Sequence, residues 1–271
     1  MSEFFHVMSL PFLACLILAG IHAYLGLHVI ERQVIFVDLA LAQIAALGAS
    51  LALIFGYSMD SGHSYWMSLG FTIAGAAIFS LTRFKKQRIP QEAIIGITYA
   101  VSAALLVLVL SRSGEGDEHI KQALVGNILL IRGSEVLKIL AIYSVMGVFH
   151  YIFRGKFLLI SQDPQEAYRR GWNVRFWDFL FYVSFGFVVT SSVKIAGVLL
   201  VFSFLVVPSA AAILFSSNTK TRLILGWAIG FLASAFGMAV SYYLDLPTGA
   251  SVVCVFGLIL LLLAFAKKFT H

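Results

Sequence analysis

A few side chains in this sequence have the type and setting to do chemistry with an ion or a partner. Asp38 lies within an apolar run, where an ionised carboxylate costs about 3 kcal/mol or more unless it faces protein or water. It is read either as a cation-handling group or, being only a few residues from the end of its run, as one that snorkels or pairs with Arg32. His22 and His28 stand six residues apart in the first apolar run, which does not put them on one helix face. His22 is the deeper of the two, and a lone histidine in a bundle reads first as a hydrogen-bonding core residue and second as a ligand. His150, near the end of another run, reads the same way. Asp245 stands beside Pro247 and Gly249, the company of a turn-making aspartate. Glu115, Asp117, Glu118 and His119 cluster in one loop, while Asp60 and His63 flank another. Both read first as solvated loops, and second as surfaces that draw cations or meet a protein outside.

A different kind of signal runs from Ser161 to Asp178, SQDPQEAYRRGWNVRFWD. Asp163 can cap a helix, Pro164 suits its first position, and Glu166 completes a capping-box-like arrangement. Arg169 and Arg170 complement the C-terminal end of the dipole, and Gly171 can adopt the left-handed stop. Two turns of helix are too short to stand alone in water, so something must pack against this one. Trp172, Phe176 and Trp177 would anchor it at a headgroup layer, or the helix is a docking knob for a cytoplasmic partner.

The elements that position these groups follow from composition. Of 271 residues, 60% are hydrophobic and 12% charged, which excludes an ordinary soluble domain. Apolar runs of about 20 residues recur from end to end, each long enough to cross roughly 30 Å of hydrocarbon. Nine spans are expected at 7–29, 34–56, 66–83, 92–111, 136–153, 177–193, 195–216, 222–244 and 248–266, or one fewer, which would move only the N-terminus to the other side. The fold class is therefore all-α, a polytopic integral membrane bundle of eight or nine helices, treated as a single domain over 1–271 with a cytoplasmic loop at 154–176. The first run has acidic Glu3 ahead of it and reads as a spanning helix rather than a cleaved signal.

Orientation comes from the basic residues. Fourteen of the nineteen Lys and Arg fall in one set of alternate loops, from Arg32 to Lys268, and five in the other. The first side is cytoplasmic, which places the protein in the bacterial cytoplasmic membrane with its C-terminus inside. The net charge of +6 reports this asymmetry and not a nucleic-acid partner. Cys15 and Cys254 lie in apolar runs without metal-ligand spacing and read as small hydrophobes. Gly226 and Gly230, with Ser234 one turn on, form a small-residue row for close helix packing, within the chain or between two copies.

Several stretches, in order, resemble the permease subunits of the bacterial zinc, manganese and iron importers of the ABC-3 type. They are Glu92–Gly96, Val125–Ile128, Asp163-Pro164 with Ala167 and Gly171, Gly197–Leu200, Pro208–Ala211 and Leu244–Ala250. The resemblance implies that Asp163, Pro164, Glu166, Ala167, Arg170 and Gly171 form the coupling helix met by an ATPase. It also implies a translocation pathway for a divalent metal in which Asp38, Gln43, His22 and Asp245 are candidates. Many members carry an Asp and a His four residues apart in the second span. Aligned on Gly48, this chain has Leu39 and Gln43 there, with Asp38 one residue early and turned about 100° around the helix. Gln43 offers an amide oxygen, a poor ligand for zinc.

No G-x-x-x-x-G-K-[ST], HExxH, GxSxG or GxGxxG occurs, so neither ATP hydrolysis nor a familiar hydrolase site is expected in this chain. The resemblance then implies a homodimer, a cytoplasmic ATP-binding subunit, an extracytoplasmic solute-binding protein and no bound cofactor. The alternative is an ion-coupled secondary transporter in which Asp38 or Asp245 titrates without an ATPase. A membrane scaffold or intramembrane enzyme ranks last, since it leaves the capped helix without a purpose.

Overall fold

Glycines, prolines and a few side-chain caps divide the apolar chain into helices, which the computed structural model describes over residues 2–58, 61–83, 89–111 and 124–269. In order they are α1 (Ser2–Glu31), α2 (Val37–Ile54), α3 (Gly62–Leu81), α4 (Gln91–Leu110), a 3-10 turn (Ile128–Leu130), α5 (Gly133–Ile152), α6 (Arg154–Gln162), α7 (Pro164–Arg169), α8 (Val174–Phe215), α9 (Thr219–Leu244) and α10 (Thr248–Phe269). Eight of them are long and apolar enough to cross a membrane. The all-α, polytopic expectation holds.

The choice between eight and nine turns on α8. Its 42 residues would run about 63 Å at 1.5 Å each, roughly twice a bilayer core. Gly197, at φ 74 and ψ 160, interrupts it and leaves helical segments at 174–196 and 198–215. The sequence reading put this break at Lys194. The backbone is helical through Lys194 and breaks only where a residue without a Cβ tolerates positive φ.

By internal contacts the chain divides into two compact units, each drawn from separated stretches. The first comprises Met1–Ile30, Leu124–Val145 and Ser192–His271; the second comprises Glu31–Ala123 and Met146–Ser191.

In the first unit, the small-residue row of α9 packs against α1. A methyl group on Gly226 would sit 3.2 Å from the Ala23 Cβ, and one on Gly230 would sit 2.8 Å from the Ala19 Cβ. Cys15 and Ser234, both fully buried, extend the ladder. Rows four residues apart thus face each other in antiparallel order, and the row that allowed either reading serves packing within the chain. At another place in this unit three of the family-like stretches converge. A methyl on Gly126 would lie 2.3 Å from the Ala196 carbonyl carbon, and one on Gly197 would lie 2.4 Å from the Gly126 nitrogen. The Asn127 amide donates to the Ile195 carbonyl at 3.1 Å. One on Gly249 would stand 3.1 Å from the Val125 carbonyl oxygen.

In the second unit α2 packs against both α3 and α4. Gly48 admits the Met67 backbone, where a methyl would approach the carbonyl oxygen to 2.8 Å, and Gly75 admits the Ile44 side chain. Thr72 of α3 and Thr190 of α8 hydrogen-bond at 3.1 Å, satisfying two buried hydroxyls. Ser61 caps α3 by accepting from the Ser64 amide.

Candidate functional site

The punctuated segment folds as its residues dictate. Asp163 accepts the Glu166 amide at 2.9 Å, Pro164 occupies the first turn of α7, and Gly171 takes φ +71 to stop it. The Trp172 amide closes the turn on the Ala167 carbonyl at 3.1 Å. The packing that so short a helix requires comes from Ala167, which is fully buried against Ile160 and Val174 with Tyr168, Trp172 and Trp177 around them. Two of the three expected headgroup anchors therefore pack against the helix itself, while Phe176 is half-exposed. Ala167 seats α7 from beneath, and its outer surface is Gln165, Arg169 and Arg170.

Charge on that outer surface is ordered. Glu166 accepts Arg169 Nε and Arg170 Nε, each at 2.8 Å, and Arg169 also approaches Asp163 at 3.7 Å. The hydrogen bonds from Arg170 and then Arg169 hold the Glu166 carboxyl below the ordinary glutamate range.

Beneath α7 lies a buried ion network that no sequence pattern announced. Asp178, in the second turn of α8, is fully shielded; it accepts a hydrogen bond from Arg32 Nη1 on one oxygen and forms an ion pair with Arg83 Nη1, at 2.8 Å, on the other. Arg32 also donates through Nε to Ser161 Oγ at 2.8 Å, and its guanidinium lies 4.1 Å from the Phe181 ring centroid. Ser161 in turn donates to the Phe157 carbonyl at 2.8 Å. Arg175 Nε donates to the Arg83 carbonyl at 3.2 Å. The residues just before and just after α7 are thereby fastened to the α1–α2 corner through Arg32 and to the end of α3 through Arg83. Arg32 was the expected partner of Asp38; the structure gives it to Asp178. The sequence reading ended the cytoplasmic loop at 176 and began the next span at 177, whereas α8 begins at Val174, which places Asp178 in its second turn within the aromatic run FWDFLFY.

The pathway candidates are dispersed. Asp38 and Gln43 are in the second unit, both buried on α2, and at five residues apart they stand about 140° around the helix from each other. Asp38 is fully buried, and its two carboxylate oxygens accept no hydrogen bond from the described residues. Its place in the first turn of α2 gives it the favourable end of the helix dipole. Close by, Glu92 accepts the Phe36 amide at 2.9 Å. His22 and Asp245 are in the first unit. His22 Nδ1 bonds the Leu18 carbonyl at 2.8 Å and Nε2 lies 3.5 Å from Ser192 Oγ, the satisfied core histidine of the simpler reading. Asp245 is exposed and ends α9 in the left-handed conformation at φ 51, which is turn chemistry. His150 meets Ser184 Oγ at 2.8 Å and stacks on Phe157. Among the described residues, no three His, Cys, Asp or Glu side chains come together as a metal-binding group would. Glu115, Asp117, Glu118, His119 and Asp60 lie outside the described residues. His63 is exposed and stacks on Tyr57 at 4.4 Å.

The model of the ABC 3 transport family matches residues 4–268. The manganese transport system membrane protein MntC of Listeria innocua is 29% identical over 199 residues, covering 71% of this chain and 70% of that one. The chelated iron transport system membrane protein YfeC of Yersinia pestis is 28% identical over 205 residues, covering 73% and 69%. Among solved structures, PsaBC from Streptococcus pneumoniae in complex with Fab superposes with a TM-score of 0.79 at 22% identity, over 97% of this chain and 94% of that one. That likeness establishes the fold.

Proposed function

The chain belongs to the ABC 3 transport family, as a multi-pass permease of the cytoplasmic membrane, and on that premise we propose that it carries a divalent transition metal into the cell at the expense of ATP hydrolysed by a separate subunit. The single observation that carries the coupling half of this reading is α7: a helix too short to exist alone, capped at both ends, with a buried underside and a charged outer face. Such a knob has a purpose when another protein pushes on it. Two copies of this chain would form the passage, with an extracytoplasmic solute-binding protein delivering the metal and ATP-binding subunits closing beneath.

The Arg32–Asp178–Arg83 network gives the push somewhere to go. A displacement of α7 reaches Arg32, ahead of α2, and Arg83, at the end of α3, through buried ion pairs and hydrogen bonds and not through a flexible loop. Alternating access requires such a mechanical link between the nucleotide-driven subunits and the spanning helices.

For the cargo, the relatives named above are a manganese and a chelated-iron system. On α2 the polar candidates are oxygen donors, the Asp38 carboxylate and the Gln43 amide. Oxygen ligands suit manganese(II) and iron(II) better than zinc, whose preferred imidazole and thiolate donors are not the ones offered there. Manganese or iron is accordingly the preferred cargo and zinc the third choice.

Co-purification tests the coupling. A tagged chain should recover a cytoplasmic P-loop ATPase, and Arg169→Glu on the outer face of α7 should release it while the permease stays folded. A chain that purifies alone from gently solubilised membranes, and still moves metal without nucleotide, would transfer the reading to an ion-coupled secondary transporter.

A further inference from the structure

An open cleft separates the end of α5 from α7, lined by Ile152, Phe153, Lys156, Leu159, Arg170 and Trp172. Its floor is apolar and continues onto a bare face of α5, where Val148, Tyr151 and Ile152 are 59%, 68% and 64% exposed. Residues this apolar and this exposed belong against hydrocarbon, so the floor opens toward the bilayer. The mouth is cationic and aromatic. Lys156 Nζ lies 4.9 Å from the Trp172 ring centroid and 4.6 Å from that of Trp177, and the Arg170 guanidinium stands 5.9 Å from the same Trp172 ring. Arg154, two residues before Lys156, lies over Tyr151 at 4.3 Å. Among the described residues no carboxylate pairs with Lys156.

An apolar trough that runs out to the membrane, topped at its inner edge by the carboxylate-free Lys156, by Arg170 with its Glu166 partner, and by an indole, matches one kind of occupant. We propose that this cleft holds an anionic phospholipid, its phosphate between Lys156 and Arg170 and an acyl chain along Ile152 and Phe153. Indole rings favour the headgroup level, and basic residues there attract the anionic lipids of the cytoplasmic leaflet. An acidic side chain of a protein partner would match the charge, but it would leave the trough and the bare face of α5 unexplained. The lipid wedges against Arg170 at the C-terminal end of α7, so its presence sets how firmly that helix is held. The assignment stands whether or not an ATPase binds α7.

The test uses the full chain. Wild type, Lys156→Gln and Lys156→Arg are purified in mild detergent and titrated with phosphatidylglycerol or phosphatidylcholine, and retained lipid is counted by native mass spectrometry. Wild type should retain phosphatidylglycerol over phosphatidylcholine, Lys156→Arg should keep that preference, and Lys156→Gln should weaken it about fivefold, the weight of one basic residue at an anionic surface. The wild-type comparison needs no variant, so equal retention of the two lipids by the native chain overturns the proposal by itself. It is also overturned if Lys156→Gln retains phosphatidylglycerol as wild type does, or if that variant keeps the lipid and instead loses a co-purifying protein, which would assign the cleft to the partner.

Discussion

The Arg32 guanidinium and the Asp178 carboxylate meet where both side chains are wholly shielded from solvent, and Arg83 takes the carboxylate's other oxygen at 2.8 Å. Two guanidinium groups thus share one carboxylate. Removing a partner from such a cluster leaves uncompensated buried charge, which costs more than the intact pair contributes. Asp178→Ala is expected to lose about 3–5 kcal/mol of stability, read as a lowered thermal midpoint in detergent. Asp178→Glu, which keeps the charge, should lose less. If Asp178→Ala matched wild type, the network would not be holding the segment around α7.

Gly126 and Gly197 each have positive φ and each occupies the space where the other's Cβ would be, so neither tolerates a side chain. Gly197→Ala is expected to cost about 1–3 kcal/mol in backbone strain alone, with more from the backbone clash. Gly96, whose Cβ position is open, supplies the control: Gly96→Ala should be neutral or slightly stabilising in the same unfolding assay.

The α1–α9 ladder predicts a size limit. Gly230→Leu would drive a branched side chain into Ala19, and overpacking of this kind costs about 1–3 kcal/mol. Reduced yield of folded protein and a lowered thermal midpoint would report it. An unchanged midpoint would mean that the two helices are free to separate.

Glu166 makes a pH prediction. Its folded-state carboxyl lies below the ordinary glutamate value because Arg170 and Arg169 donate hydrogen bonds to it, so ionisation favours the ordered helix. That contribution is fully present above the unfolded glutamate value and is lost as pH falls through the lowered one. Amide exchange across 164–171, corrected for intrinsic rates, should rise on acidification through that window in wild type and show no such step in Glu166→Gln. Since the pairs are exposed, added salt should shrink the difference.

The helices were legible because a bilayer imposes length and apolarity on every span, and the capped segment was legible because Asp163, Pro164, Glu166 and Gly171 act locally. What escaped were relations made by tertiary packing. Nothing in the spacing says that Arg32 chooses Asp178, 146 residues away, over Asp38, six residues away. Nor does it say that Ala167 faces inward, since a six-residue helix has too few positions to show a face. The stretches around Val125, Gly197 and Pro247 read as separate signatures, and only the fold shows one cause for them: two positive-φ glycines in backbone contact beside Gly249. The candidate pathway was the least legible part, because a single carboxylate in an apolar run looks the same whether it binds cargo or closes a helix end.

The most direct test of the account is metal uptake by proteoliposomes carrying this chain with the cytoplasmic subunit that co-purifies with it, with nucleotide supplied on the α7 side. Manganese(II) or iron(II) should accumulate with ATP but not with a non-hydrolysable analogue, and Asp178→Asn should abolish accumulation while ATP hydrolysis persists. Accumulation that ignores nucleotide and follows an imposed proton gradient would contradict the account and identify a secondary transporter.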